Sequence, residues 1–360
     1  MAKELAHFKN FAKLKDTKVA FNDITVIAGK PGTGKSYVMK MMYAIDEALR
    51  LFSNNMNDLP KKIQDILKKD TDISKENSAK YIMEYLDERS KYVRDIDNEL
   101  YDDLKNILQS IFVDIEQISN DFFIKLNDSF VEYKNNSLNA NLDEIRLYNN
   151  VIFVETPLIL EFKKFMKREK GKTPYHIESL LNILDTDYSF TDKEQDKLIK
   201  EFTEKSKTII KGDIESSGDS FIFNKENEKN YDIVNASSGT KSIGLLQYLV
   251  TNKALKKGSV LYWEEPEVHL HPEWQLKMID LFVELMNAGV KIVFSTHSPY
   301  MPDYLNAISK RRGFDDRVSF NLFKETEGVV ENHILDTDEK WQLIQDELLG
   351  SLEEIMWEYI

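Results

Sequence analysis

Residues 29–36 read Gly-Lys-Pro-Gly-Thr-Gly-Lys-Ser, an eight-position match to G-x-x-x-x-G-K-[ST]. Gly29, Gly32 and Gly34 let successive backbone N–H groups turn inward around phosphate oxygens. Lys35 reaches the β and γ oxygens, and the Ser36 hydroxyl can ligate Mg²⁺. Lys30, Pro31 and Thr33 complete the loop and Tyr37 follows it, so residues 29–37 are the candidate contacts to a nucleotide's phosphates. A second signal is the acidic pair Glu264-Glu265 ending the apolar run Val260–Trp263. One acid, Glu264, would hold Mg²⁺, and its neighbour Glu265 would polarise an attacking water. Ser237, Ser238 and Gly239 offer small polar groups just before the apolar stretch Ile243–Val250, a composition suited to an anion-binding helix start. His297, in Ser295-Thr296-His297-Ser298-Pro299, follows another apolar run and could meet a γ-phosphate. Taken singly, these last three patterns also describe a charged turn, a helix cap and a packed imidazole; with the glycine loop in the same chain they read as one site. His269 and His271 raise a metal-site alternative, although no third ligand stands at a suitable local spacing.

Such a site needs strands that stop where the chemistry begins. Ile24–Ala28 is a buried strand entering the loop, and Ser36–Leu51, rich in Met, Ala, Leu and Lys, is the helix leaving it. Val151–Val154, Ser259–Trp263 and Val290–Phe294 are further strands, each followed by a polar turn, with Glu155 at the end of the first. Helices are expected around Leu158–Met166, Ile177–Leu184 and Lys193–Lys205. Short strands are expected over 209–234, with a turn at Ser216-Ser217-Gly218, and a hairpin around Glu327-Gly328. The N-terminal alternation over His7–Phe11 and Lys18–Phe21 suits antiparallel strands. Between Gly34 and Gly171 there is no glycine, and apolar residues such as Leu100, Leu104, Leu108 and Ile111 recur at helical spacing, so 54–150 is expected to be a helical insertion. Asp338–Ile360 is expected to be an amphipathic helix interrupted at Gly350. The predicted organisation is an α/β chain with a mostly parallel sheet: 1–53 the first part of the core, 54–150 the insertion, 151–360 the remainder.

Composition narrows the partners. Forty-eight Lys and Arg against 62 Asp and Glu give a net charge of −14, which opposes broad contact with nucleic acid or an anionic membrane. Cysteine is absent, which removes disulfides, thiolate metal sites and cysteine nucleophiles together. No signal-peptide core and no apolar span of bilayer length is visible, so the expectation is a cytoplasmic protein without stable membrane association.

In order along the chain, GKPGTGKS, NASSGTKS, EEPEVHLHP and STHSP resemble the Walker A, signature, Walker B and switch-histidine motifs of ABC-type ATPases. The resemblance is to the OLD, RecF and SMC-like branch of AAA-family ATP-binding proteins, and covers roughly residues 5–50 and 205–360. It implies a P-loop NTPase with ABC-ATPase head architecture, a mostly parallel sheet plus N-terminal antiparallel strands. By motif, it implies that Ser237 and Gly239 are signature residues, Glu264 the Walker B acid, Glu265 the catalytic base and His297 the switch histidine. Glu264 stands where many members have Asp, and Ala236 where Leu is common. The Gln that couples transporter ATPases has no clear equivalent, Glu155 being the candidate, which argues against a transporter subunit.

The resemblance further implies a homodimer or higher homo-oligomer in which the signature of one copy closes on ATP held by the other. About 60 residues follow His297, too few for the nuclease domain that OLD proteins carry there. The expected effector is therefore a separate protein, a nuclease or toxin, as with the ATPase subunits of anti-phage systems such as Septu or PARIS. The alternative is a RecF/SMC-like ATPase of DNA repair or maintenance, with Lys163, Lys164, Lys167, Arg168, Lys170 and Lys172, or Lys310–Arg312, as its basic contacts. A third reading is a scaffold that binds ATP and scarcely turns it over.

Overall fold

The computed structural model describes residues 4–57, 100–112, 115, 118–142, 147–166, 173–186, 188 and 193–358. Strands β1 (Glu4–Phe11) and β2 (Leu14–Phe21) pair antiparallel, and β3 (Ile24–Gly29) runs into α1 (Lys35–Asn57). Helix α2 covers residues 100–112, followed by β4 (Phe122–Leu126), β5 (Ser129–Lys134), β6 (Ser137–Asn141) and β7 (Val151–Val154). Next come α3 (Ile159–Met166), α4 (Tyr175–Asp185) and α5 (Lys193–Ile210), then a small sheet of β8 (Gly212–Ser217), β9 (Ser220–Lys225) and β10 (Tyr231–Asp232). The rest alternates: α6 (Ser238–Thr251), β11 (Val260–Glu264), α7 (Pro272–Asn287), β12 (Lys291–Thr296), α8 (Tyr300–Arg312), β13 (Val318–Thr326), β14 (Val329–Ile334) and α9 (Asp338–Glu358).

Among the described residues eleven strands join in one sheet, ordered β6-β5-β4-β1-β2-β14-β13-β3-β12-β11-β7. From β13 to β7 every pairing is parallel, and from β2 to β6 every pairing is antiparallel. Parallel strands are buried on both faces, which explains their continuous apolar runs. β11 sends Leu261 and Trp263 into a core shared with α6, α7 and α8, and Val260 and Tyr262 into a second core under α1 and α2. The sheet is thus clamped between two hydrophobic layers, and its strand ends cannot drift.

Two sequence expectations are corrected. The stretch 54–150 is not a helical insertion throughout: α2 is helical, but β4, β5 and β6 form a meander that joins the head's own sheet through β1, with Phe8 opposite Ile124. Residues 58–99 lie outside the described residues. Missing glycine does not forbid hairpins, because asparagine also enters the left-handed region. Asn127 (φ 54°), Asn135 (φ 52°) and Asn136 (φ 59°) make both turns. Phe122, Ile124 and Leu126 then point inward while Phe123 and Lys125 point outward. The second correction is that α9 passes through Gly350 without a break. Its Trp341 packs edge-on to Phe320, with ring centroids 4.8 Å apart, and Ile344 is buried.

Candidate functional site

β3, β12, β11 and β7 are neighbours in that order and run the same way, so their carboxyl ends finish in one row. Register fixes the row: Thr296 stands opposite Ala28, Ser295 opposite Glu264, and Trp263 opposite Val154. The glycine loop, His297, the Glu264-Glu265 pair and Glu155 leave these ends side by side. Ligands of open α/β sheets collect at this edge.

In the loop, Lys35 Nζ donates to the carbonyls of Gly29 (2.8 Å) and Lys30 (2.9 Å), and Thr33 Oγ1 donates to the Lys30 carbonyl (2.9 Å). Gly29 sits at φ +148°, and a Cβ there would lie 2.4 Å from the Phe323 carbonyl oxygen, so only glycine fits. Lys30 also reaches Glu347 of α9, at 3.7 Å. Lys35 is buried, and desolvation pulls its pKa down to about 8 despite the opposing pull of Glu265, Glu267 and Glu264. Tyr37, the residue after the loop, stacks on Phe112 of α2 at 5.8 Å.

The two acids differ in setting. Burial pushes Glu264 up to about 7, while a hydrogen bond with Ser36 works the other way. Its Oε1 is buried without a hydrogen-bond partner. A carboxylate held against the phosphate loop, lacking a partner for one oxygen and bonded to the Ser36 hydroxyl, is a donor set that fits Mg²⁺. Glu265 takes the left-handed conformation (φ 47°), held by its N–H donating to the Ser295 carbonyl at 3.1 Å. That kink turns its half-exposed carboxylate outward, where Oε1 meets His297 Nε2 at 3.1 Å. Burial and the nearby Lys35 charge hold the His297 pKa below its ordinary value. Beside a carboxylate, which only accepts, Nε2 carries the hydrogen of this contact. A half-exposed carboxylate oriented by an imidazole, beside a phosphate loop, has the geometry to accept a proton from water.

Sequence reasoning missed three of the groups gathered here. Lys40 stands one turn beyond Ser36, on the same helix face, and donates to Glu155 at 3.0 Å. His176 of α4 holds the other Glu155 oxygen at 2.7 Å. The His176 hydrogen bond, with Lys40 adding to it, draws Glu155 down to about 2. Glu267, third acid of the same run, accepts from the backbone N–H groups of His297 and Ser298. The i+4 spacing could have flagged Lys40. His176 carries no local sequence signal, because its partner is brought by the sheet.

Ser237, Ser238 and Gly239 stand at the start of α6. The Ser237 hydroxyl caps α6 by accepting from Thr240 N at 3.2 Å. A Cβ on Gly239 would stand 3.3 Å from Leu270 and from Trp274, so its small size serves close packing on the 266–271 turn. Among the described residues, no hydrogen bond joins these three to residues 29–37. His271 caps α7 through Nδ1, and no group of three or more possible metal-binding side chains occurs among the described residues. Of the basic run suggested for DNA, Lys163 is buried over the Phe221 ring and paired with Asp185 at 2.8 Å. The side chains of Lys164, Lys167, Arg168, Lys170 and Lys172 lie outside the described residues. Arg312 approaches Asp280 at 3.6 Å.

The glycine loop between β3 and α1, set in a mostly parallel sheet, defines a P-loop fold like that of SMC heads. A family model described as "AAA domain, putative AbiEii toxin, Type IV TA system" matches residues 24–301, and the chain belongs to that family. No curated protein matches the chain. Among solved structures, the Smc head bound to the C-winged helix domain of ScpA is similar at a TM-score of 0.51 and 12% identity, covering 94% of this chain and 99% of that one. The SMC head domain from Thermotoga maritima matches at a TM-score of 0.47 and 12% identity, over 94% of this chain and 100% of that one. At such identities the likeness concerns the fold.

Proposed function

We propose that this chain binds ATP with Mg²⁺ and hydrolyses it, and that two copies close over two nucleotides as a switch. The row of Lys35, His297, Glu265 and Glu264 at adjacent strand ends carries this reading. Residues 29–37 wrap the phosphates, and Ser36 with Glu264 would hold Mg²⁺, which when bound neutralises charge growing on the β and γ oxygens. Glu265 takes the proton of the attacking water, with His297 steering its carboxylate and facing the γ-phosphate. Ser237, Ser238 and Gly239, which make no hydrogen bond to residues 29–37 among the described residues, complete the site of a second copy. Their hydroxyls and helix N-terminus bind the γ-phosphate of closed copies only, so hydrolysis removes the differential contact and lets the pair open.

The switch then acts on a separate protein effector, a nuclease or toxin, in bacterial anti-phage defence. Support for this comes from the toxin named in the matched family's description. The cytoplasm is the compartment of this reading; among the described residues no helix is long and apolar enough to cross a membrane. The test compares phosphate release by the wild type, Glu265→Gln and Ser237→Arg. Glu265→Gln should lose about 10²-fold or more in kcat while still binding ATP. Ser237→Arg should bind ATP, fail to dimerise and fail to turn over. Wild-type turnover by Ser237→Arg refutes closure across two copies, and wild-type turnover by Glu265→Gln refutes the assigned base.

A further inference from the structure

Resting on that reading, we propose that Glu267 is a positioning residue, whose carboxylate fixes the backbone at His297 and so ties the His297–Glu265 contact to the conformation of the 266–271 turn. Glu267 Oε1 accepts from His297 N at 2.6 Å and from Ser298 N at 3.3 Å. These N–H groups belong to the turn between β12 and α8. That helix begins at Tyr300 after Pro299, which provides no side-chain cap. A carboxyl oxygen accepting from two amides at a helix entrance fixes the backbone there. It places the imidazole whose Nε2 meets Glu265.

A second thread joins the same two turns. Gln275 Nε2 donates to the Leu270 carbonyl at 3.1 Å, and Ser298 Oγ donates to Gln275 Oε1 at 2.6 Å. Residues 265–271 are stitched to the histidine turn at both ends, while Val268 between them is exposed. The stitched turn also stores strain, with Glu265 at φ 47° and His269 at φ 65°. Such a segment moves as a unit, and moving it carries Glu267 and the His297 backbone along. Glu267 acts through position, with Oε1 engaged by the amides.

The experiment uses Glu267→Ala, Glu267→Gln, His297→Ala and the double variant Glu267→Ala/His297→Ala in the full chain. Hydrogen–deuterium exchange of peptides spanning 295–300 reads the latch without any turnover. Glu267→Ala should speed exchange of the His297 amide at least tenfold and that of Ser298, which also donates to Thr296 Oγ1 at 2.9 Å, by less, and Glu267→Gln, which keeps an acceptor oxygen, should restore protection. In the ATPase assay, Glu267→Ala should lower kcat by about 10- to 100-fold, the scale of a misplaced catalytic group, with ATP affinity within about twofold. Glu267→Gln should recover at least tenfold of that loss. On the His297→Ala background, Glu267→Ala should cost nothing further beyond about twofold, because it acts through the missing group. Unchanged exchange, additive losses in the double variant, or a Gln variant as damaged as Ala would each overturn the proposal. Wild-type turnover by His297→Ala would instead strike the role given to the histidine under the proposed function, with the exchange measurement still deciding whether Glu267 holds its backbone.

Discussion

Lys35 is pulled down to about 8 in the nucleotide-free chain, chiefly by burial. It is charged below that pH and neutral above it. A triphosphate needs the charged form, so binding above pH 8 must take up a proton. The charged fraction falls from about 0.9 at pH 7 to about 0.1 at pH 9, so the Kd for ATP should rise about tenfold, or about 1.4 kcal/mol. Titration calorimetry in two buffers of different ionisation heat measures both quantities at once. Proton uptake should approach one per ATP near pH 9 and vanish near pH 6.5. Lys35→Arg supplies the control, because guanidinium does not titrate in this range; whatever its absolute affinity, its Kd should be flat from pH 7 to 9. A flat wild-type profile, or the same slope in Lys35→Arg, would refute the argument that a desolvated Lys35 is the phosphate-binding cation.

Two stability predictions rest on other parts of the site. Asp46 of α1 is fully buried, accepts from the Tyr262 hydroxyl at 2.6 Å, and is raised by burial from 3.8 to about 7. Between those values the unfolded chain has lost this proton and the native one keeps it, so stability falls as pH rises. Asp46→Asn removes the effect, and its urea-unfolding free energy should gain about 2–3 kcal/mol on wild type between pH 5 and pH 8; a constant difference would contradict the burial argument. Gly29→Ala drives a Cβ into the Phe323 carbonyl at 2.4 Å in a conformation alanine resists. It should cost about 3 kcal/mol or more and abolish ATP binding, measured by thermal unfolding with and without nucleotide; a wild-type Tm would show that β3 and β13 are not held this close.

The amino-acid order alone determined what depends on neighbours in the chain. The strand, glycine loop and helix at 24–51 follow from a buried β-branched run, three glycines and a breaker-free helix. The strands ending at Glu264 and Thr296, and the hairpin at Glu327-Gly328, follow from equally local patterns. The same logic misjudged 122–141, because asparagine turns imitate glycine turns without the glycine, and a rule keyed to one residue type passes over the other. Gly350 misled in the opposite direction, since contacts of Trp341 and Ile344 anchor α9 whatever its local propensity.

What only the tertiary structure decided is which ends meet. Sheet order places β12 between β3 and β11, although it follows both in the chain, and this sets His297 between Lys35 and Glu265. Glu155 acquires Lys40 from 115 residues away and His176 from 21. Ionisation states are likewise products of the fold: Glu264 and Glu155 are the same residue type, yet burial lifts one to about 7 while a histidine and a lysine draw the other to about 2. Local pattern is set by bond rotations and side-chain volumes within a few residues. Proton affinity and catalytic alignment depend on solvent exclusion and on charges a few ångströms away, and those neighbours exist only once the sheet has closed.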